Sequence, residues 1–302
     1  MLLILLKRFI CLFYVFFFFS CNAIELPDLQ VKEISTNKIV AGYLPNWHTN
    51  TIRLPDIDKN YNLIYLFRAA PIEIAQGKTG AVYYDFPGNK RKAANNLVSD
   101  IKYARQVQKR KIILSVGGAK HGIEFNERNQ SKAFVNSIIS IYNMLGGIDG
   151  IDLNTFEGDY KPNTQEMIWI GLELKRLYPN FIISAPPAPW SKRDLDFCEA
   201  MVKAGAMDYA APQYYDGLNV KKPSYVINNI KQWVNRLGEE HVVLGLGVQQ
   251  EKNYMSIDEA MYTWLAVKAL YPNIRGVYNW QIMKDEEYNW IFAKNLGIII
   301  NP

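Results

Sequence analysis

From residue 38 onward, short runs rich in β-branched and aromatic residues alternate with longer stretches whose apolar residues recur at helical spacing. This alternation predicts repeated strand–helix units and a parallel sheet. The runs that we predict as strands are 39–44, 63–67, 112–116, 148–153, 181–185, 208–215, 242–248 and 276–280.

The segments between these runs carry helix patterns. Apolar residues between 134 and 145 share one helical face, and Met261, Trp264 and Leu265 share another. Ser256 with Glu259 three residues later predicts the start of the second helix, because the two side chains can cap it reciprocally. Strands and helices alternating over about 260 residues favour a single (β/α)8 TIM barrel over an open doubly wound sheet.

One connection stands out between the second and third predicted strands. Residues 75–90 contain Gly77, Gly80, Pro87 and Gly88, so we expect a long irregular loop on the side where substrate loops lie in a barrel. No Gly-x-Gly-x-x-Gly follows the first strand, which removes the main argument for a dinucleotide-binding fold.

Composition is that of a globular protein, with 49% hydrophobic and 21% charged residues. The net charge of +5 is scattered along the chain without a long basic run, which argues against a nucleic-acid partner. We expect a monomer.

The N-terminus has the pattern of an export signal. Lys7 and Arg8 precede the apolar run 9–19, and small or polar residues follow it. We expect a signal peptide over 1–23 and a secreted or periplasmic protein. The alternative is a lipoprotein signal that ends at residue 20, with a lipid anchor at Cys21 and attachment to a membrane.

Cysteine and histidine offer little chemistry. Beyond the signal only Cys198 remains, in a helical segment without a nearby histidine, so we interpret it as a buried core residue. His48, His121 and His241 lack the spacing of metal ligands, and no metal or other cofactor is expected.

Acidic and amide side chains are concentrated where the fourth predicted strand ends. Asp149, Asp152, Asn154 and Glu157 follow or interrupt an apolar run. Ionisable groups there are costly unless they are paired, and the carboxyl end of barrel strands is where catalytic groups project.

This run resembles the strand-four signature of glycoside hydrolase family 18, Asp-Gly-x-Asp-x-Asp-x-Glu. Other strand ends resemble the same family, in the same order, over about residues 38–297. The residues that carry this further resemblance are Tyr43, Phe67, Ser115 with Gly117 in Ser-x-Gly-Gly, Gln213 with Tyr215 and Asp216, and Trp280.

The resemblance implies a chitinase-like enzyme that cleaves β-1,4 bonds at N-acetylglucosamine with retention of configuration. Glu157 would be the general acid, with its pKa raised by the neighbouring Asp149 and Asp152. Asp152 and Asn154 would support and orient the substrate acetamido group, whose oxygen attacks the sugar, and Tyr215 would donate to that oxygen. Tyr43, Phe67, Gln213, Asp216 and Trp280 would bind the glycan, and Ser115 and Gly117 would support the site.

Two departures from the signature leave alternatives open. Asn154 stands where the family has an aspartate, and Phe156 stands where it has the glutamate. Since side chains alternate along a strand, Glu157 reaches the barrel interior only if a bulge forms at 155–156.

The competing functions are a silent barrel that binds chitin or peptidoglycan and an endoglycosidase that acts on the chitobiose core of N-glycans. For Glu157 the competing interpretation is a solvated loop carboxylate, and for Tyr43 and Trp280 it is barrel core.

Overall fold

The computed structural model describes residues 38–75, 77–88, 90–155 and 160–302. The predicted signal and Cys21 lie outside this part of the chain. So do Phe156 and Glu157, and with them the predicted bulge.

Eight parallel strands form a ring with helices between them, which confirms the predicted (β/α)8 barrel. Around the ring the strands follow the order β1, β2, β4, β5, β6, β7, β8, β9. The ring is completed by isolated parallel pairings of Ala210 with Val242 and of Gln213 with Gly245. The strands are β1 (Ile39–Pro45), β2 (Leu63–Ile74), β3 (Gly77–Tyr84), β4 (Lys111–Gly117), β5 (Gly150–Asn154), β6 (Ile182–Ala185), β7 (Tyr209–Ala210), β8 (Val243–Leu246) and β9 (Gly276–Asn279).

The prediction of an irregular loop over 75–90 was wrong. Strand β2 runs on to Ile74, and β3 returns antiparallel to it. The glycines suggested a loop, but Val82 and Tyr84 are buried, and β3 packs against the helix that follows β4. Tertiary packing therefore outweighs the weak strand propensity of glycine.

The sixth barrel strand, β7, is much shorter than predicted. Regular pairing is confined to Tyr209 and Ala210, after which the chain keeps only the single pairing at Gln213. Pro212 lies between them and has no N–H to donate to a ladder. The segment that carries Tyr215 is therefore a loop at the carboxyl end of the barrel.

Some of the helices between the strands begin with polar caps. In α3 the Asn163 side chain accepts hydrogen bonds from the backbone, and in α6 Ser256 and Glu259 form the predicted capping box. The helices are α1 (Ala93–Gln106), α2 (Arg128–Met144), α3 (Thr164–Leu177), α4 (Lys192–Lys203), α5 (Pro223–Leu237), α6 (Ile257–Leu270), α7 (Ile282–Glu287) and α8 (Ile298–Ile300).

The buried face of α6 differs from the prediction. Trp264 is buried, but Leu265 is half exposed, and the inward positions are Ala260, Thr263, Trp264 and Val267. These four follow the i, i+3, i+4, i+7 pattern of a single helix face. The predicted face over 134–145 in α2 is confirmed, since Phe134 and Ile138 are fully buried.

Apolar residues form two layers. The larger lies between the ring of strands and the helices, and the smaller fills the barrel interior. Alternation along the strands separates them: Ile64 and Leu66 of β2 face the helices, whereas Tyr65 and Phe67 face inward. Tyrosines dominate the interior, where the Tyr65 and Tyr209 hydroxyls lie 2.8 Å apart.

The two ends of the barrel domain are joined by hydrogen bonds. The Lys38 N–H donates to Asn301 Oδ1 over 2.9 Å, and Asn301 Nδ2 donates to the Lys38 carbonyl over 2.8 Å. Across the part of the chain that the structure describes, each helix is too short or too polar to cross a membrane.

Candidate active site

Asp152 lies at the centre of a polar group inside the carboxyl half of the barrel. Its neighbours Ile151 and Leu153 face the helices, so alternation turns Asp152 inward. The Tyr43 and Ser115 hydroxyls donate to Oδ2 over 2.8 and 2.7 Å, and Ser184 donates to Oδ1 over 2.8 Å. Three hydroxyl groups from three different strands therefore hold the carboxylate in one orientation.

Asn154 shares the inward face of β5 with Asp152 and is 4% exposed. Its side-chain oxygen Oδ1 is buried, and no donor among the described residues reaches it. The Thr155 hydroxyl is likewise buried without a partner in the described part of the chain. Because a buried acceptor without a hydrogen bond costs about 1–3 kcal/mol, this position is suited to a ligand that supplies an N–H or O–H.

Aromatic rings pack next to this polar group, and Tyr43, Phe67 and Tyr215 are buried there. The Trp280 ring lies 5.6 Å from Tyr43 and 5.2 Å from Phe67, and it stacks on Tyr215 at 6.3 Å with 5° between the planes. The Phe67–Arg68 and Trp280–Gln281 peptide bonds are cis. These ring contacts bring together four residues that the sequence pointed to. We call them the aromatic wall: Tyr43, Phe67, Tyr215 and Trp280.

Trp47 extends this wall and was missed in the sequence. It is 51% exposed, with its ring 5.4 Å from Phe67 and 6.3 Å from Trp280. The available signal was its position two residues after β1, where an aromatic residue faces the mouth of a barrel.

Hydrogen bonding places the Tyr215 hydroxyl. It donates to Gln213 Oε1 over 2.6 Å and lies 3.1 Å from the Tyr278 hydroxyl. Gln213 Nε2 in turn donates to the Pro186 carbonyl over 2.6 Å. Gln213 therefore positions Tyr215, and Tyr278 is a further inward hydroxyl that the sequence did not reveal.

Asp216 lies at the exposed rim beside these residues. Its backbone is left-handed, with φ 59°, and its carboxylate accepts a short hydrogen bond from the Tyr254 hydroxyl. Burial, and then this carboxylate, raise the pKa of Tyr254 well above its usual value. Burial also raises the pKa of Tyr43, with Asp152 second, so both phenols remain protonated donors at neutral pH.

The structure does not bring Asp149 to this group. Its carboxylate lies at the amino end of β5, where Arg105 Nε donates to it over 3.0 Å and the Ile112 N–H over 2.9 Å. Asp149 therefore lies at the opposite end of β5 from Asn154. It does not belong to the polar group around Asp152, contrary to the prediction. Asp149 instead fixes the start of β4 and β5 through these contacts.

Ser115 and Gly117 lie on β4, next to β5. Ser115 binds Asp152 directly, and Gly117 pairs with Asn154 in the parallel register. The φ of Gly117 is 94°, and a side chain there would clash with the Asn154 carbonyl oxygen. Both residues therefore support the two inward side chains of β5.

Glu157 is in the segment outside the described residues, so its part in the site stays a prediction. Among the described residues, no three His, Cys, Asp or Glu side chains are grouped in a way that could hold a metal ion.

The fold and these residues define a (β/α)8 barrel with a polar, aromatic-walled site at the carboxyl ends of its strands. The profile of glycosyl hydrolases family 18 matches residues 39–291. The chain belongs to this family, as its strand-end motifs indicated.

Individual relatives agree with the family. Over 190 residues the chain is 27% identical to chitinase Chi52 of Paenibacillus xylanexedens, which covers 58% of this chain and 33% of the relative. It is also 27% identical over 194 residues to chitinase D of Niallia circulans, covering 59% and 34%. The matched part spans about a third of these curated relatives.

A solved structure shows the same fold. A family GH18 chitinase from Chromobacterium violaceum superposes with a TM-score of 0.75 at 19% identity, covering 88% of this chain and 84% of that one.

Proposed function

We propose that this protein is a glycoside hydrolase that cleaves β-1,4 linkages at N-acetylglucosamine in chitin or chito-oligosaccharides. Family membership and the names of the chitinase relatives support this class of reaction. The observation that carries the substrate assignment is the buried Asn154 Oδ1, which lacks a donor among the described residues. An acetamido N–H is a donor of the kind that this oxygen requires.

The proposed reaction uses the substrate's own acetamido oxygen as nucleophile. That oxygen attacks the anomeric carbon, the glycosidic bond breaks, and the leaving oxygen takes the proton of Glu157. Water then opens the cyclic intermediate, with Glu157 accepting a proton, and the product keeps the β configuration. One enzymic carboxylic acid therefore suffices in place of the usual pair.

The described residues would orient this reaction. Asp152 is held rigidly by its three hydroxyl donors, and Asn154 would accept from the acetamido N–H. Tyr215 would donate to the acetamido oxygen as charge develops there. Its single proton is directed to Gln213 in the free protein, so binding requires the hydroxyl to turn from Gln213 toward the substrate.

Hydrolysis of N-acetylglucosamine oligomers by the parent and by Glu157→Gln tests the assignment. We expect the variant to retain oligomer affinity and to lose at least about 10²-fold in kcat, the usual share of general acid catalysis. Glu240→Gln is the matched control, because Glu240 is exposed beside the amino end of β8.

Unchanged kcat in Glu157→Gln would remove this residue from the mechanism. Oligomer binding without hydrolysis by the parent would instead favour the silent glycan-binding barrel, which the replacement of the family aspartate by Asn154 also suggests. Cleavage confined to the chitobiose core of N-glycans would favour the endoglycosidase.

We also propose that residues 1–23 direct export, because the charged, apolar and small segments follow each other in the order of a signal. Intact-mass analysis of exported protein should give a chain that begins at Ile24, or a lipid-modified chain that begins at Cys21. A retained Met1 would refute the proposal.

A further inference from the structure

Trp190 is the most exposed large hydrophobic side chain in the described part of the protein, at 65%. It lies in the loop between β6 and α4, so it is at the carboxyl end of the barrel, as is the candidate active site. A single exposed apolar residue is by itself ordinary. The loop that carries Trp190, however, has an unusual number of side-chain hydrogen bonds to its backbone carbonyls.

This loop is held rigidly by α5. The Pro189 carbonyl, next to Trp190, accepts from Asn229 Nδ2 and Gln232 Nε2 over 3.1 Å each and from Trp233 Nε1 over 3.4 Å. The proline rings at 186, 187 and 189 also restrict the backbone. The backbone next to Trp190 is therefore anchored to α5, while the Trp190 side chain is exposed to solvent.

The same loop is tied to the candidate active site. Gln213 donates to the Pro186 carbonyl and accepts from the Tyr215 hydroxyl. Asn229, which binds Pro189, also accepts from Tyr214 over 2.9 Å. The position of Trp190 is consequently coupled to the segment that carries Tyr215, as expected of a binding group supported by surrounding contacts.

The strand order places Trp190 across the barrel from Trp47 and Trp280, the part of the aromatic wall that follows β1 and β9. Strand β6 is four places from β1 in the eight-membered ring, the largest separation possible, and β9 is next to β1. Trp47 and Trp280 follow β1 and β9. An extended ligand that lies on Trp47 and Trp280 and crosses the barrel mouth past Asp152 therefore runs toward Trp190.

We propose that Trp190 is a stacking platform for a sugar ring of the bound glycan, at the end remote from Trp280. A β-linked pyranose exposes apolar C–H groups on its ring faces, and an indole ring covers such a face with little loss of conformational entropy. Trp190 then sets a preference for longer chains. This inference rests on the proposed function and deepens it.

Calorimetric binding of N-acetylglucosamine dimers and hexamers to Trp190→Ala tests the platform, on a background of Glu157→Gln so that the ligand stays intact. We expect the Kd for the hexamer to rise about five- to tenfold, as for one lost apolar contact, and the Kd for the dimer to stay within about twofold. Trp190→Phe should recover part of the hexamer affinity.

Tyr262→Ala is the control, because Tyr262 is 62% exposed on α6, away from the barrel mouth. An unchanged hexamer Kd in Trp190→Ala, or an equal loss for dimer and hexamer, would overturn the platform. If the parent binds and cleaves oligomers in that case, the proposed function survives without it. If the parent neither binds nor cleaves any oligomer, the proposed function fails and the platform with it.

Discussion

At the scale of single residues, the site depends on the asymmetry between two neighbours on β5. Asp152 has its oxygens bound by three hydroxyls, whereas Asn154 keeps a buried oxygen without a donor among the described residues. The first arrangement is complete in the free protein. The second has room for a donor from a ligand, so we expect a substitution at residue 154 to change the chemistry most directly.

Asn154→Asp should preserve or raise kcat on N-acetylglucosamine oligomers. A carboxylate there restores a negative charge beside the positive intermediate of the proposed reaction, while still accepting from the acetamido N–H. Steady-state kinetics with a tetramer gives the comparison, and Asn154→Ala, which removes the acceptor, should lose affinity. A fall of more than about tenfold in kcat for Asn154→Asp, the size of a lost charged hydrogen bond, would contradict the predicted role.

The orientation of the two β5 side chains could be predicted from the sequence. The motif and strand alternation together predict that Asp152 and Asn154 share an inward face, and the structure confirms that geometry. Ser184 and Tyr278 were not accessible in this way, because their partners are 32 and 63 residues away along the chain. No local pattern shows which hydroxyl will reach a carboxylate on another strand.

At the scale of elements, the register between β4 and β5 aligns the site. Ser115 pairs with Asp152 and Gly117 with Asn154. The Gly118 N–H also donates to the Asn154 carbonyl over 2.7 Å, just where a side chain at 117 would intrude. The glycines at the end of β4 thus allow the two strands to approach closely at the pocket.

Gly117→Ala should destabilise the protein by about 2–4 kcal/mol, since it combines an unfavourable φ with a steric clash against backbone. Urea unfolding measures the change. Gly77→Ala is a matched control, because Gly77 also has a positive φ, 114°, but nothing lies within 4 Å of the added atom. Equal losses in the two variants would show that the contact with Asn154 is unimportant.

Two strands, β3 and β7, differ from what the local sequence pattern predicted. Strand β3 was predicted as part of a loop because of its glycines, and β7 was overextended through Pro212. In both cases the deciding contacts come from elsewhere: α2 covers β3, and β8 pairs with the chain beyond Ala210. Strand formation depends on such partners more than on intrinsic preference.

At the scale of the whole molecule, the C-terminal segment is bound to the barrel through Asp285. This carboxylate is fully buried and accepts from the Tyr61 hydroxyl over 2.8 Å and from the Phe292 N–H over 2.7 Å. Burial raises the pKa of Asp285 from its ordinary 3.8 to about 6, and the hydrogen bonds oppose that rise only in part.

This raised pKa predicts a pH dependence of stability. Between about pH 4 and 6 the folded protein binds a proton that the unfolded chain has lost, so stability falls as the pH rises through this window. Relative to Asp285→Asn, which stays neutral, the parent should lose up to about 3 kcal/mol of unfolding free energy between about pH 3.5 and 7. Urea unfolding at a series of pH values measures it.

The exposed Asp85 provides the control for this series. Asp85→Asn removes one carboxyl from the exposed surface and is measured over the same pH series. A parent-minus-Asp285→Asn difference that is constant with pH, or that grows as the pH rises, would contradict the buried neutral carboxyl.

Local periodicity and short motifs at strand ends were sufficient to predict the barrel class, its eight strands in chain order and the family. Only the tertiary structure decided which side chains meet: the three hydroxyls on Asp152, the separation of Asp149 from that group, the hairpin of β3, and the loop that presents Trp190. These contacts join residues distant along the chain, and their energies depend on burial and geometry that exist only once the ring of strands has closed.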